Sequence, residues 1–143
     1  MKLNPYLNFS GNATQAFQFY QTVFGGELSL KTMGEIEGIP NLREEEKEMA
    51  MHVSLPIGEG QYLMASDCLE SQGHALKKGN SNYIALDVDS REDADRIFNG
   101  LSAGGNIEMP MEDQFWGDYF GSFCDKFGVY WMIIYSNKKE GAE

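Results

Sequence analysis

The sequence predicts an α+β fold made of two tandem βαβββ modules. Three observations predict it. Each half of the 143-residue chain opens on a short alternating strand, runs into an amphipathic helical stripe and stops that stripe with Gly-Gly. Laying the halves together matches Tyr6 with Tyr83, Ala16 with Ala94 and Gly25-Gly26 with Gly104-Gly105, at offsets of 77, 78 and 79 residues. The composition, 42% hydrophobic and 13% aromatic, is that of a chain able to bury a core at this length. An offset this constant marks an internal repeat. One module leaves its apolar sheet face partly uncovered by a single helix. Two modules are therefore expected to close a curved mixed sheet around a cleft, with the helices outside. Module one should span about 1–68, a linker about 69–80, and module two about 81–136.

The first strand is expected at Pro5–Phe9, where Leu7 and Phe9 alternate with Tyr6 and Asn8. Ser10-Gly11-Asn12 offers turn and N-cap chemistry. Ala13, Ala16, Phe17, Tyr20, Val23 and Phe24 then fall on one helical stripe, and Gly25-Gly26 ends it. A second strand is expected at Glu27–Met33. The charged stretch Gly34–Glu48 reads as solvated loop or short exposed helix. Strands at Met49–Leu55 and Tyr62–Ser66 follow, joined by a turn over Pro56–Gly60. Polar residues from Asp67 to Ser81 form the linker.

The pattern then restarts. Asn82–Val88 alternates with Ile84, Leu86 and Val88 on one face. Ser90 with Asp93 resembles a capping box, and Ala94, Ile97, Phe98 and Leu101 form the second stripe. Gly104-Gly105 stops it. The remaining strands are expected at Asn106–Pro110, Tyr119–Cys124 and Val129–Tyr135, the last two joined by a turn at Asp125–Gly128, where the aspartate can cap its own backbone.

Charge narrows the partners. Eleven basic residues face 22 acidic ones, a formal −11. Phosphate backbones and anionic membrane surfaces repel such a chain, so neither nucleic acid nor membrane is an expected partner. The longest apolar run, near Val129–Tyr135, is too short to span a bilayer, and Met1–Pro5 holds no apolar leader core, so the expected location is the cytoplasm. Cys68 and Cys124 form no CxxC motif and read as small apolar residues rather than a disulfide.

Several segments carry a family resemblance. Pro5–Ala13 with Ala16, Phe19-Tyr20 and Val23–Gly26 resembles the opening of PhnB-like proteins. Met51-His52-Val53, Gln114–Asp118 with Gly121, and Asp125–Gly128 with Trp131 resemble later segments of the same group. The resemblance spans nearly the whole chain. It places the protein in the glyoxalase/bleomycin-resistance/dioxygenase (vicinal oxygen chelate) superfamily, which holds metal-dependent isomerases, dioxygenases and epimerases beside metal-free drug-binding proteins. Fold therefore does not fix function. Some such proteins carry the label of a ubiquinone-pathway methyltransferase. The glycine pairs here fall at helix ends rather than in a strand-to-helix loop, which speaks against a nucleoside-type methyl donor.

The resemblance also implies where a metal would sit, one ligand from each of four strands. Carried over by register, these positions are Pro5 or Tyr6, His52, Tyr83 and Met132. A catalytic zinc, nickel or iron site needs about three ligands from His, Glu, Asp or Cys, and this set offers one imidazole. No cofactor is expected, and a divalent ion, if bound, would use His52.

Alternation assigns the cleft instead. Tyr6 and Asn8, His52 and Ser54, and Tyr83 and Asp87 share the mixed faces of their strands, while Met51, Val53 and Leu55 should pack under a helix. With Trp116 and Asp118 from the later motif, the candidate ligand-binding set is Tyr6, Asn8, His52, Ser54, Tyr83, Trp116 and Asp118. Imidazole, phenols and an amide around a concavity suit an unidentified small organic molecule, and imidazole suits proton transfer. The leading expectation is a metal-independent small-molecule-binding protein that is a homodimer, with Phe115, Trp116 and Tyr119 at the interface. The alternatives are a divalent-metal lyase, isomerase or dioxygenase using His52, and a structural dimer module whose cleft is filled by Tyr6, Tyr83 and Trp116. Ordinary structural roles compete throughout. A lone strand histidine is commonly just hydrogen-bonded, His74 lies in the linker, and Met49, Met51, Met64 and Met132 are most simply core.

Overall fold

Tyr6–Phe9 forms strand β1, with Phe9 buried and Tyr6 and Asn8 exposed, as its alternation predicts. A computed structural model describes residues 1–137, and the chain divides into two units, Met1–Lys77 and a second beginning at Lys78. The first unit continues with helix α1 (Ala13–Phe24) and strands β2 (Ser29–Thr32), β3 (Ala50–Gly58) and β4 (Gln61–Asp67). Its sheet runs β1-β4-β3-β2, with β1 and β4 parallel and the other pairs antiparallel. The second unit repeats the plan. Strand β5 (Ile84–Asp87), helix α2 (Arg91–Ser102) and strands β6 (Asn106–Asp113), β7 (Asp118–Cys124) and β8 (Tyr130–Ser136) give a sheet ordered β5-β8-β7-β6. Again the first strand is parallel to the fourth. Each module thus builds its own mixed four-stranded sheet, and β1 and β5 hold equivalent places. Among the described residues, no helix is long and apolar enough to cross a membrane.

In the first unit α1 buries Ala13, Ala16, Phe17 and Tyr20, one face of a 3.6-residue period. Beneath it lie Phe9, Val53, Leu55, Leu63 and Ala65, all buried. Phe17 stands edge-on to Phe9 and Tyr20, with centroids at 6.3 and 5.4 Å. Such a fully buried ring contributes about 1.5–3 kcal/mol by burial alone, so Phe17→Ala would weaken this layer.

Three local expectations are corrected. The Asn12 side chain does not cap α1. Asp67, at the end of β4 opposite Phe9, does so from a distance: Oδ1 accepts from Gly11 N and Ala13 N at 2.9 and 3.0 Å, and Oδ2 from Ala50 N at 2.8 Å. Met51 is half-buried rather than packed under the helix. Opposite β3, Lys31 pairs with His52 and Thr32 with Ala50, so Met51 is the extra residue of a bulge, and Ala50 takes the inward place. The turn after β3 is also shorter than expected. The strand continues through Pro56 and Ile57, and Gly60, at φ 68°, makes the reversal.

The charge run is not wholly solvated either. Glu46 is buried in a 3-10 turn at Glu44–Glu46, accepting from Arg43 N at 3.0 Å and Ser71 N at 3.4 Å. The Ser71 side chain first, then the Arg43 amide, hold its carboxyl below the usual range.

In the second unit Ser90 caps α2 as expected, its hydroxyl oxygen accepting from Asp93 N at 3.0 Å. Ala94, Ile97, Phe98 and Leu101 are buried over Phe123, Trp131 and Ile133. Phe98 meets Phe123 edge-on at 5.0 Å. Gly121 lets the helix approach, since a Cβ there would lie 2.8 Å from Phe98 Cε2. Strand β6 runs three residues past the expected Pro110, with register shifts that break its alternation.

Candidate functional site

Each sheet has one face under its helix and one facing away. On the first unit's open face, register places Tyr6 opposite Met64, Met64 opposite Ser54, Asn8 opposite Ser66 and His52 opposite Lys31. Tyr6 and His52 meet. The Tyr6 hydroxyl lies 3.4 Å from His52 Nδ1, reaching across β4, and the rings stand 5.9 Å apart at 34°. At that length the bond is weak, and the hydroxyl donates only when Nδ1 is unprotonated. Met64 forms the floor between them and is half-buried, not core. Asn8 and Ser54 flank the pair on the same face. Met49 and Met132 are half-buried as well, which corrects the core assignment for all four methionines.

The second unit's open face carries Tyr83, but its partners differ from those expected. The Tyr83 hydroxyl donates to Glu108, 2.8 and 3.0 Å from its two oxygens. The Ser122 hydroxyl, on a buried residue, donates to Glu108 Oε1 at 3.3 Å. Tyr130 stands against Tyr83 with centroids 5.3 Å apart at 61°. Hydrogen bonding to Glu108 raises the Tyr83 hydroxyl above its ordinary pKa, with burial and the Glu108 charge adding to it. Tyr130 is raised too, first by the charge of Cys124. Both phenols are therefore neutral at physiological pH.

Trp116 and Asp118 pair with each other, the indole Nε1 donating to Asp118 Oδ2 at 3.0 Å. They are not beside Tyr83. Asp118 begins β7 opposite Ser136, whereas Tyr130 faces Cys124 at the other end of that strand. Six residues of strand separate the two ends, about 20 Å. Tyr119 points to the helix side, with Arg91 over its ring at 4.0 Å and its hydroxyl donating to Asp95 at 2.6 Å.

Sequence reasoning missed Glu108, Tyr130 and Ser122. The bulges of β6 erase the alternation that would have assigned a face to Glu108. Tyr130 was legible, since Tyr130 and Met132 alternate with the buried Trp131 and Ile133. His74 was read as plain linker, yet its Nε2 lies 3.6 Å from Cys68 Sγ. Burial first, then Asp67, pushes the Cys68 thiol up, and burial likewise raises Cys124, so neither cysteine is poised as a thiolate nucleophile.

The positions carried over for a metal do not fit one. Tyr6, Tyr83 and Met132 supply phenols and a thioether, and His52 is the lone imidazole. Met132 lies on β8, the strand beside β5, and the matching strand in the first unit is β4, where Met64 stands opposite Tyr6. Among the described residues, no three His, Cys, Asp or Glu side chains gather as a metal-ligating group.

Comparison with known proteins agrees with this architecture. The model of the Glyoxalase/Bleomycin resistance protein/Dioxygenase superfamily matches residues 2–133. Protein YjdN of Escherichia coli (strain K12) is 37% identical over 142 residues, covering 93% of this chain and 94% of that protein. The crystal structure of protein PA1353 from Pseudomonas aeruginosa is 35% identical, covers 95% of this chain and 98% of its own, and has a TM-score of 0.82. A PhnB protein from Bacillus cereus shares the fold at 23% identity, covering 95% of this chain and all of its own with a TM-score of 0.72.

Proposed function

The chain belongs to the glyoxalase/bleomycin resistance protein/dioxygenase superfamily, and within it we propose that it is a metal-independent protein that binds a small organic molecule. The approach of Tyr6 to His52 carries this reading. A phenol and an imidazole converge over the thioether of Met64, with Asn8 and Ser54 beside them. A few polar groups set on a soft apolar floor are what orient a small ligand. The donor set supports independence from metal, since a lone imidazole with phenols and thioethers holds a divalent ion poorly. The net charge of −11 favours neither nucleic acid nor an anionic membrane as partner, and we place the protein in the cytoplasm as a homodimer.

Elemental analysis of protein purified without chelators or affinity-tag metals tests the first half of this reading. Near-stoichiometric zinc, nickel, iron or manganese would overturn it. For the second half, the His52 ring resonances are followed by NMR across a panel of small organic compounds. Saturable shifts that vanish in Tyr6→Ala are the expected result. Ring signals indifferent to the whole panel would remove the site.

A further inference from the structure

We infer that the open face of the second unit is a recognition site for an organic ammonium ion, with Glu108 as the counter-charge and the rings of Tyr83 and Tyr130 as its aromatic walls. The inference goes beyond the small-molecule reading, whose site is the Tyr6–His52 pair of the first unit, and assigns a separate site with its own ligand class to the second unit.

An exposed glutamate ordinarily samples many rotamers in water. Glu108 is held. Tyr83 donates to it within 3.0 Å of both oxygens, and the buried Ser122 on β7 anchors Oε1. Two oxygens offer about four lone-pair sites, and two hydroxyl donors leave part of that capacity open. Among the described residues no lysine, arginine or histidine forms an ion pair with Glu108. Lys78 is the cation whose charge reaches this neighbourhood, and it acts on Cys124. The Glu108 charge is felt at Tyr83, Cys124 and Tyr130, in each case opposing ionisation.

The two tyrosine rings meet at 61°, two walls of a corner beside that fixed carboxylate. Neutral phenol rings attract a cation through their quadrupoles, and do so most strongly when it is an alkylated ammonium with little hydration to lose. The half-buried Met132, opposite Ser122 and Ala85, adds a polarisable apolar surface for the alkyl groups. Among the described residues no three His, Cys, Asp or Glu side chains gather as metal ligands, so the corner favours an organic cation over a divalent one.

The test uses choline as probe and 3,3-dimethylbutan-1-ol as its uncharged isostere, with Tyr83 and Tyr130 ring resonances followed on the full chain. Choline should shift both rings saturably, and the isostere should bind about tenfold more weakly or worse, as loss of the cationic contacts requires. Glu108→Gln should weaken choline by a similar factor, with circular dichroism confirming the fold. Tyr83→Phe keeps the wall but frees Glu108 from its main donor and should weaken choline only a few-fold, whereas Tyr130→Ala should lose binding. Equal affinity for choline and the isostere, or an unaffected Glu108→Gln, would overturn charge recognition while leaving a neutral small-molecule site standing. Calcium shifting the same rings at equal concentration would overturn it in favour of a metal.

Discussion

The indole nitrogen of Trp131 donates to Asp125 Oδ2 at 2.8 Å, and both residues are buried. The other oxygen of the same carboxylate accepts from Phe127 N at 2.8 Å and Val129 N at 3.0 Å. One side chain thus fixes the turn between β7 and β8 and satisfies the largest ring in the core. Asp125→Ala leaves three donors without this partner and should cost roughly 2–5 kcal/mol. Asp125→Asn should recover only part, because an amide oxygen can serve the turn while its N–H₂ faces the indole N–H. Urea unfolding followed by tryptophan fluorescence measures both. An alanine variant within about 0.5 kcal/mol of the parent would show that the carboxylate does not hold the turn.

That turn was legible because its partners are local, two and four residues away. Asp67 does the comparable work in the first unit and was not legible, since its carboxylate reaches amides 56, 54 and 17 residues distant. Element types followed from periodicity, and so did the shared faces of Tyr6 with Asn8 and of His52 with Ser54, whereas the meeting of Tyr6 with His52 also needs the order β1-β4-β3, which periodicity does not supply. Parity failed wherever a bulge intervened. At Met51 it mistook a half-buried residue for core, and along β6 it hid Glu108. Trp116 and Asp118 came from motif likeness and from their polar, glycine-bearing surroundings, neither of which says which end of a strand they would occupy.

Gly105 and Gly104 look alike in sequence and differ in reason. Gly104 has φ 78°, and a Cβ there would meet only the flexible Lys126 side chain, at 3.3 Å. At Gly105 a Cβ would overlap the Cys124 carbonyl oxygen and lie 2.9 Å from the Asp125 Cα. No rotamer relieves a clash with backbone. Gly105→Ala should therefore cost about 3 kcal/mol or more, and Gly104→Ala about 1 kcal/mol for its backbone conformation. Thermal or urea denaturation of the pair checks this, and the reverse ranking would mean that β6 can shift away from β7 at no cost.

Arg91 grips Asp113 with two bonds of 2.8 and 3.0 Å, and the Asn137 amide donates to the same carboxylate at 2.8 Å. Together they tie the first turn of α2 to the ends of β6 and β8. Arg91 first, then Asn137, brings the Asp113 carboxyl down from 3.8 to about 2. A group lowered in the folded state stabilises fully above its unfolded value and loses that contribution as pH falls toward its folded value. Asp113→Asn should thus be less stable than the parent at neutral pH, and the difference should close between pH 3.8 and about 2. Arg91→Lys should weaken the clamp too, since an ammonium cannot reproduce the paired bonds or the stacking on Tyr119. A gap between parent and Asp113→Asn that persists unchanged at the acid end would exclude titration of this carboxylate as its cause.

The proposed homodimer makes its sharpest prediction at the turn between β6 and β7. Phe115 is 95% exposed, with Trp116 edge-on at 4.9 Å, and Trp116 in turn faces Phe120 at 6.0 Å. An aromatic cluster held outward is characteristic of the apolar centre of an interface, and the Trp116 indole already has its polar partner in Asp118. Against association stands the charge of −11 on each chain. Repulsion between two such chains is long-ranged and is screened over about 10 Å at 0.1 M salt and about 3 Å at 1 M, whereas aromatic burial is not weakened by salt. Association should therefore strengthen as sodium chloride rises, the opposite of an assembly held by ion pairs. Light scattering across concentration and ionic strength should give a mass approaching twice that of the chain, and Phe115→Ala with Trp116→Ala should return it to the monomer with the fold intact. A monomer mass in concentrated, high-salt solution would refute the homodimer. A dimer untouched by the double variant would move its interface elsewhere on the chain.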